Sequence, residues 1–393
     1  MKTLAIKPNA IHVLTSCIKP LILSTSIFLS SPVSAASYSI LDLGVGFGSE
    51  STAYAINENG QVAGDILIGS ISYLAFSTSS NGSYMMTLGT LGGFQSQARD
   101  INVNGQVVGW SGTNSGNTHA FMSNPGKFEL TDLGTLGGNS SSATGINSLG
   151  QVVGSSMTLS GANHAFITGP NGLGMTDLGT LGGNSSGATG LNPKGQVVGV
   201  SNTLSGTSHA FITGINGTGM IDLGTLGGSD SNARAINTEG RVVGGSTTSS
   251  GASHAFLTGP NGEGMTDLGI LPGGCCFSSA YGINGVSQVV GWATAGSGNF
   301  HAFVTGANGV GMTDLNDLAP MDNDYFMIAY DINDLGQIVA GSSTGHAYLL
   351  TPVPEPETST LILVSLGLIG YLTHKREREK LYADNRKFTD PQT

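Results

Sequence analysis

The chain has 393 residues, 62 of them glycine; 39% are apolar, only 10% are charged, and the net charge is −11. Between Ala36 and Pro352 stand 19 acidic and 5 basic residues, a net −14. That balance excludes the clustered Lys and Arg of a nucleic-acid surface.

Lys2, Lys7 and Lys19 precede the apolar run Leu21 to Leu29, and Val33-Ser34-Ala35 follows as a small-residue cleavage site. This predicts an export signal over residues 1–35. The stretch Met1 to Lys19 is long for a charged leader, which leaves a later translation start open. Cys17 leaves with the leader. Cys275 and Cys276 remain, adjacent on a loop where other repeats carry Asn-Ser. In an oxidising compartment the expectation is a disulfide, vicinal or between molecules, with soft-metal binding as the lesser alternative.

The body, residues 36–352, is repetitive. The motif Ile/Leu-Asn-x-x-Gly-Gln recurs with Asn at 57, 102, 147, 192, 237, 284 and 333, spaced 45, 45, 45, 45, 47 and 49 residues. The fifth copy has Arg241 in place of Gln, and the sixth has one extra residue before Gln288. Periods of this length belong to propellers and solenoids. Each copy reads as four short strands, exemplified by Ala143–Ile146, Gln151–Gly154, His164–Phe166 and Met175–Leu178. Asn and Gly in the first turn suit a tight hairpin. Consecutive Val pairs suit strands covered on both faces, as between radially packed blades. No segment carries a 3.6-residue period, so no helix is expected in the body.

A His-to-Asp offset of 13 residues repeats as His119/Asp132, His164/Asp177, His209/Asp222, His254/Asp267 and His301/Asp314. A hairpin turn centred between Pro170 and Asn171 places His164 opposite Asp177 and Phe166 opposite Met175, within side-chain reach. In the first repeat Leu74 and Thr87 replace both partners together. That joint loss argues for direct contact. The expectation is a buried structural pair within each blade.

The chain ends complement each other. Ser39 to Gly44 is a fourth strand without a preceding hairpin, while the last repeat stops after His346-Ala347-Tyr348. The expected fold is therefore all-β: a seven-bladed propeller of four-stranded blades, closed by the N-terminal strand, with Asp42 paired to His346. Closure removes an exposed sheet edge. An open solenoid is the alternative.

The His-Ala-Phe strand, Asp-Leu-Gly-x-Leu-Gly-Gly and Ile-Asn-x-x-Gly-Gln, recurring in register from about Ala53 to Leu350, resemble the HAF family of extracellular repeats. The resemblance implies an exported repeat protein and no defined catalytic activity.

Residues 353–393 hold Pro354-Glu355-Pro356, the apolar stretch Thr358 to Thr373, and the basic cluster His374 to Arg378. The 16 residues of this segment make a short span, below the about 20 usual for a bilayer. The flanking positive charge keeps that end cytoplasmic and the repeats outside. This order resembles a PEP-CTERM sorting signal of Gram-negative bacteria. It implies exosortase as processing partner and a transient inner-membrane anchor before the cell surface or extracellular space. The tail Leu381 to Thr393 departs from the usual pattern and leaves a retained anchor as the alternative.

Chemistry is sparse in this reading. Histidines in separate blades are too far apart to share a metal ion. Gly172-Leu173-Gly174 lacks the strand-to-helix context of a phosphate loop. Asp322-Asn323-Asp324 lacks the Gly and terminal Glu of a calcium loop. No nucleophile elbow occurs. Trp110 and Trp292 are assigned to packing between blades, with stacking on sugars as the alternative. No cofactor, metal or catalytic residue is expected. The expected function is a monomeric, non-enzymatic binding or structural propeller of the surface or biofilm matrix, with exopolysaccharide as partner. A carbohydrate-active enzyme, hydrolase or lyase, with its site on one propeller face is the alternative.

Overall fold

The computed structural model describes residues 37–46, 48–125, 129–353 and 365–379. The body is an all-β propeller. The first-strand segments are longer than the four residues expected: Gly92–Ile101, Gly137–Ile146, Gly182–Leu191 and Gly227–Ile236 each have ten. Their outer halves absorb the Gly-Gly linkers.

That extension corrects the expected architecture. The strands do not form seven separate four-stranded blades. They form five four-stranded sheets and one eight-stranded sheet. In the large sheet the strand Gly137–Ile146 runs far enough outward for Ser140 to bridge, in parallel, to Thr118 of the preceding unit. Among the described residues the body also contains one short α-helix, Leu315–Leu318, where no helix is expected from the sequence. Asp314 caps it, its side chain accepting from Asn316 N. The expected membrane span, Thr358 to Thr373, falls partly outside the described residues. Residues 365–379 are helical. Among the described residues, no helix is long and apolar enough to cross a membrane.

The last sheet is completed by the N-terminal strand. Tyr38–Asp42 pairs antiparallel with Ala347–Pro352, setting Leu41 opposite Leu349 and Asp42 opposite Tyr348. Apolar clusters lie between consecutive repeats rather than within one. Val108, Ala120 and Met122 meet Ala143, Ile146, Val152 and Phe166. Across the closure, Val339, Ala347 and Leu349 meet Ala53, Ile56, Val62 and Phe76. Such burial is the dominant stabilising term of the fold. The phenyl rings of Phe121, Phe166, Phe211, Phe256 and Phe303 in the His-Ala-Phe strands, and of Phe76 in the Leu-Ala-Phe strand of the first repeat, are fully buried.

Buried polar groups stitch neighbours together. Each repeat Asn donates from Nδ2 to the backbone oxygen of the next one: Asn57 to Asn102 at 2.8 Å, and finally Asn333 to Asn57 at 3.1 Å. The ring is complete, because the intermediate steps from Asn102 through Asn284 are all made. Ser Oγ groups on the first strands add a second belt. Ser141, for example, accepts from Ala120 N at 2.8 Å.

Candidate functional site

The first strand of every repeat carries a β-bulge at one position. The register shifts between Ala53 and Ala55, Ala98 and Asp100, Ala143 and Gly145, and equivalently in the later repeats. The skipped residues are Tyr54, Arg99, Thr144, Thr189, Arg234, Tyr281 and Tyr330. A bulge leaves one residue unpaired and re-aims its side chain. The glycine of the adjacent strand permits this tight backbone: a Cβ on Gly109 would collide with the carbonyl oxygen of Gln97.

All seven skipped residues line one cavity of about 630 Å³, joined by Asp100, Trp110 and Asp331 among others. It is the central channel of the propeller, and its wall is asymmetric. Thr144 and Thr189 form the neutral side, their hydroxyls donating to Ala188 O at 2.8 Å and Ala233 O at 3.0 Å. Opposite stands an aromatic cluster. Tyr330 meets Tyr54 edge-on at 5.4 Å and Tyr281 at 5.9 Å. The Arg99 guanidinium lies 4.5 Å over the Tyr54 ring, and that of Arg234 lies 5.0 Å over Tyr281. Such cation–π contacts hold the guanidinium face and leave its N–H edge free. Arg99 Nη2 and Trp110 Nε1 both donate to Gln97 Oε1, at 2.8 and 3.1 Å.

Three carboxyl groups surround this cluster. Asp65 is only 1% exposed, and its Oδ2 accepts no hydrogen bond. Burial pushes its carboxyl up to about 7, against the opposing pull of Arg99 and a hydrogen bond with Tyr54. Asp331 is pushed up to about 7, first by desolvation and also by the charges of Asp100 and Glu58. Asp100 rises to about 6 through desolvation. Both are clamped by backbone N–H groups. Asp331 accepts from Ile332 at 2.9 Å and from Ile56 at 3.0 Å. Asp100 accepts from Ile101 and Ile146, each at 2.8 Å. Desolvation also raises the Tyr330 phenol well above its ordinary value.

The sequence reading missed this cluster, and it had found no divergent polar group among the repeats. The signal was present three residues before each repeat Asn, where Ala-x-x-Ile/Leu-Asn holds constant and the second position runs Tyr, Arg, Thr, Thr, Arg, Tyr, Tyr. Trp110 belongs here too, rather than to packing between blades. Trp292 packs on Phe300 at 4.6 Å instead.

The His and Asp side chains lie away from the channel. Asp132 Oδ2 is 2.8 Å from His119 Nδ1, and Asp177 Oδ2 is 2.8 Å from His164 Nδ1. The distances are 2.7 Å for His209 to Asp222, 2.8 Å for His254 to Asp267, 2.6 Å for His301 to Asp314 and 3.0 Å for His346 to Asp42. Two features differ from expectation. Asp177 faces Phe166, not His164, so the contact is diagonal and the turn is two residues longer than inferred. The pairs are also not buried: the Asp177 side chain is 41% exposed and that of His164 23%. Each Asp reaches the strand end, where it also accepts a backbone N–H, as Asp177 does from Gly179 at 2.7 Å. No pair shares a site with another, and among the described residues no group of three His, Cys, Asp or Glu is placed to hold a metal.

Cys275 and Cys276 are both exposed and free in the structure. Cys276 sits at φ 62°, and the hydrogen bond with Cys275 raises its thiol. In the Asp322 to Asp324 loop, burial acts to raise the Asp324 carboxyl. Hydrogen bonds from Thr344 and Ser343, at 2.6 and 2.7 Å, win and hold it near about 2. Pro354, Glu355 and Pro356 lie outside the described residues.

Residues 352–376 match the PEP-CTERM protein-sorting motif. The motif implies export to the cell surface or extracellular space and recognition by exosortase. No curated protein matches the chain. The HAF resemblance gains no support from these comparisons. Similar solved structures include TolB from Acinetobacter baumannii, at 10% identity and TM-score 0.43, covering 75% of this chain. This chain spans 64% of that protein, just under two thirds. A structure of YCF48 bound to D1 peptide has 12% identity and TM-score 0.48, covering 81% and 97% of the two chains. The GH74 enzyme of Niastella koreensis has 15% identity and TM-score 0.45, covering 81% and 43%.

Proposed function

We propose that this exported, exosortase-sorted protein is a non-enzymatic binding propeller of the cell surface or extracellular matrix, with its ligand seated in the central channel. The observation that supports this most is the asymmetric wall of Tyr54, Tyr281, Tyr330, Arg99, Arg234 and Trp110 around a cavity of about 630 Å³. A cavity of that size with aromatic faces and few convergent polar groups fits the general form of a small-ligand site. The aromatic faces suit a saccharide, consistent with an extracellular polysaccharide partner and with the resemblance of the repeats to the HAF family.

A second reading, a carbohydrate-active enzyme, draws on Asp65 and Asp331, whose carboxyls are raised to about 7. Such perturbed acids cluster in active sites. Their surroundings favour binding instead. Both Asp331 oxygens already accept backbone N–H groups, which makes the carboxylate a cross-link between first strands. Asp65 is enclosed to 1% exposure, out of reach of a bulky glycosidic oxygen.

The test is a saccharide panel titrated against the full chain, with Trp110 fluorescence and product release read together. Binding without turnover, weakened by Tyr330→Ala, is the expected result. Hydrolysis or elimination abolished by Asp331→Asn would replace this reading with the enzymatic one.

A further inference from the structure

We infer that the channel recognises a carboxylate-bearing sugar, an acidic saccharide unit held by Arg234 and Arg99 with its ring against the tyrosine wall; this rests on the channel being the binding site. The first argument is the distribution of charge. The body has only 5 basic residues. Two of them, Arg99 and Arg234, line the same cavity. In a protein so poor in cations, two guanidinium groups in one cavity wall favour an anionic ligand there.

The second argument is that neither guanidinium stands in a direct ion pair, although the buried Asp65 carboxyl is within electrostatic reach of Arg99. Among the described residues the only arginine paired with a carboxylate is Arg241, with Glu239 at 2.9 Å. Arg99 uses one N–H on Gln97. Arg234 is exposed in the channel wall and lies over the Tyr281 ring. A guanidinium lying over a ring keeps its N–H fork available, the geometry that grips a carboxylate with two parallel hydrogen bonds.

The third argument selects the ligand class. Asp100 and Asp331 stand in the same wall. Where these carboxyls ionise they repel a dianionic phosphate more than a monoanion, and a monoanion carrying hydroxyl groups could also donate to their remaining lone pairs. Tyr54, Tyr281, Tyr330 and Trp110 supply faces for the C–H surface of a sugar ring. Carboxylate, hydroxyls and a partly apolar ring coexist in a hexuronate.

The test uses the full chain carrying Trp292→Phe, which leaves Trp110 as the single indole of the two in the sequence. It is titrated with oligogalacturonate, with a neutral oligosaccharide of equal length, and with inorganic phosphate. Expected is quenching by the uronate at a Kd at least about tenfold below that of the neutral analogue, the factor of one lost charge-assisted pair. Arg234→Gln should reduce uronate affinity to the neutral level at unchanged melting temperature. Arg234→Lys should restore only part of it, because the ammonium lacks the fork. Equal affinities for acidic and neutral sugars, indifferent to Arg234→Gln, would overturn acid recognition and leave the channel site standing. Phosphate competing as strongly as uronate would overturn the saccharide assignment. No response to any of the three, with Tyr330→Ala equally silent, would overturn both this inference and the channel site.

Discussion

Asn333 Nδ2 donates to the backbone oxygen of Asn57 at 3.1 Å, joining positions 276 residues apart. This bond belongs to a circle of equivalent asparagine contacts, and at this point the circle is closed by a contact between the last and first repeats. Asn333 also donates to Gln337 Oε1 and accepts from Leu335 N and Gln337 N, while remaining only 2% exposed.

Removing that amide leaves several buried backbone groups unpartnered. Asn333→Ala should cost about 2–3 kcal/mol, from the loss of net hydrogen bonds and the desolvation of the groups left behind. Asn147→Ala, at an interior step of the same circle, should cost about as much. Chemical denaturation of both variants checks this. A full cost at Asn147 with none at Asn333 would mean that the first and last repeats are not joined in solution.

The His164–Asp177 contact lies on a half-exposed strand end, so its worth is modest. A double-mutant cycle of His164→Ala and Asp177→Ala should give a coupling of about 0.5–1 kcal/mol, the range of partly exposed pairs. Asp177→Ala alone should lower the melting temperature and leave channel binding unchanged. A coupling indistinguishable from zero would reduce the pair to a crowding contact.

The raised carboxyls of Asp65, Asp100 and Asp331 link stability to pH. Each holds its proton in the folded state at pH values where the unfolded chain has already ionised. Their stabilising contribution is therefore complete below about pH 4 and is lost as the pH rises toward about 7, the folded value of Asp65 and Asp331. Thermal melts should show stability from these groups falling across that window. Asp65→Asn keeps the shape without the ionisation, so it should melt a few degrees above the parent at pH 8 and match it near pH 4. A variant less stable at both values would show that the Asp65 carboxyl group is needed for reasons other than its ionisation.

Processing depends on a segment remote from the channel. Replacing Pro354, Glu355 and Pro356 together with alanine should leave the C-terminal segment attached in cells that contain an exosortase. Intact-mass measurement of the product decides this. Normal removal of the segment from the triple variant would show that another sequence is read.

Much of the architecture was legible along the chain because repetition exposes it. The Asn period, the four short strands of each copy and the spare N-terminal strand follow from spacing and apolar pattern. The sheet count was not legible, since whether Ser140 reaches Thr118 depends on how far a Gly-rich linker runs before it bends. The hairpin register also escaped by two residues. The left-handed Asn171 and Gly172, at φ 55° and 71°, make a wider loop than a two-residue turn.

The sequence alone determined that the chain is exported, all-β and repetitive, because those properties reside in local composition and period. The tertiary structure decided which residues share a site. A bulge recurring in every first strand turns one variable position per repeat toward the axis. Only circular closure brings Tyr54 of the first repeat within 5.4 Å of Tyr330 of the last.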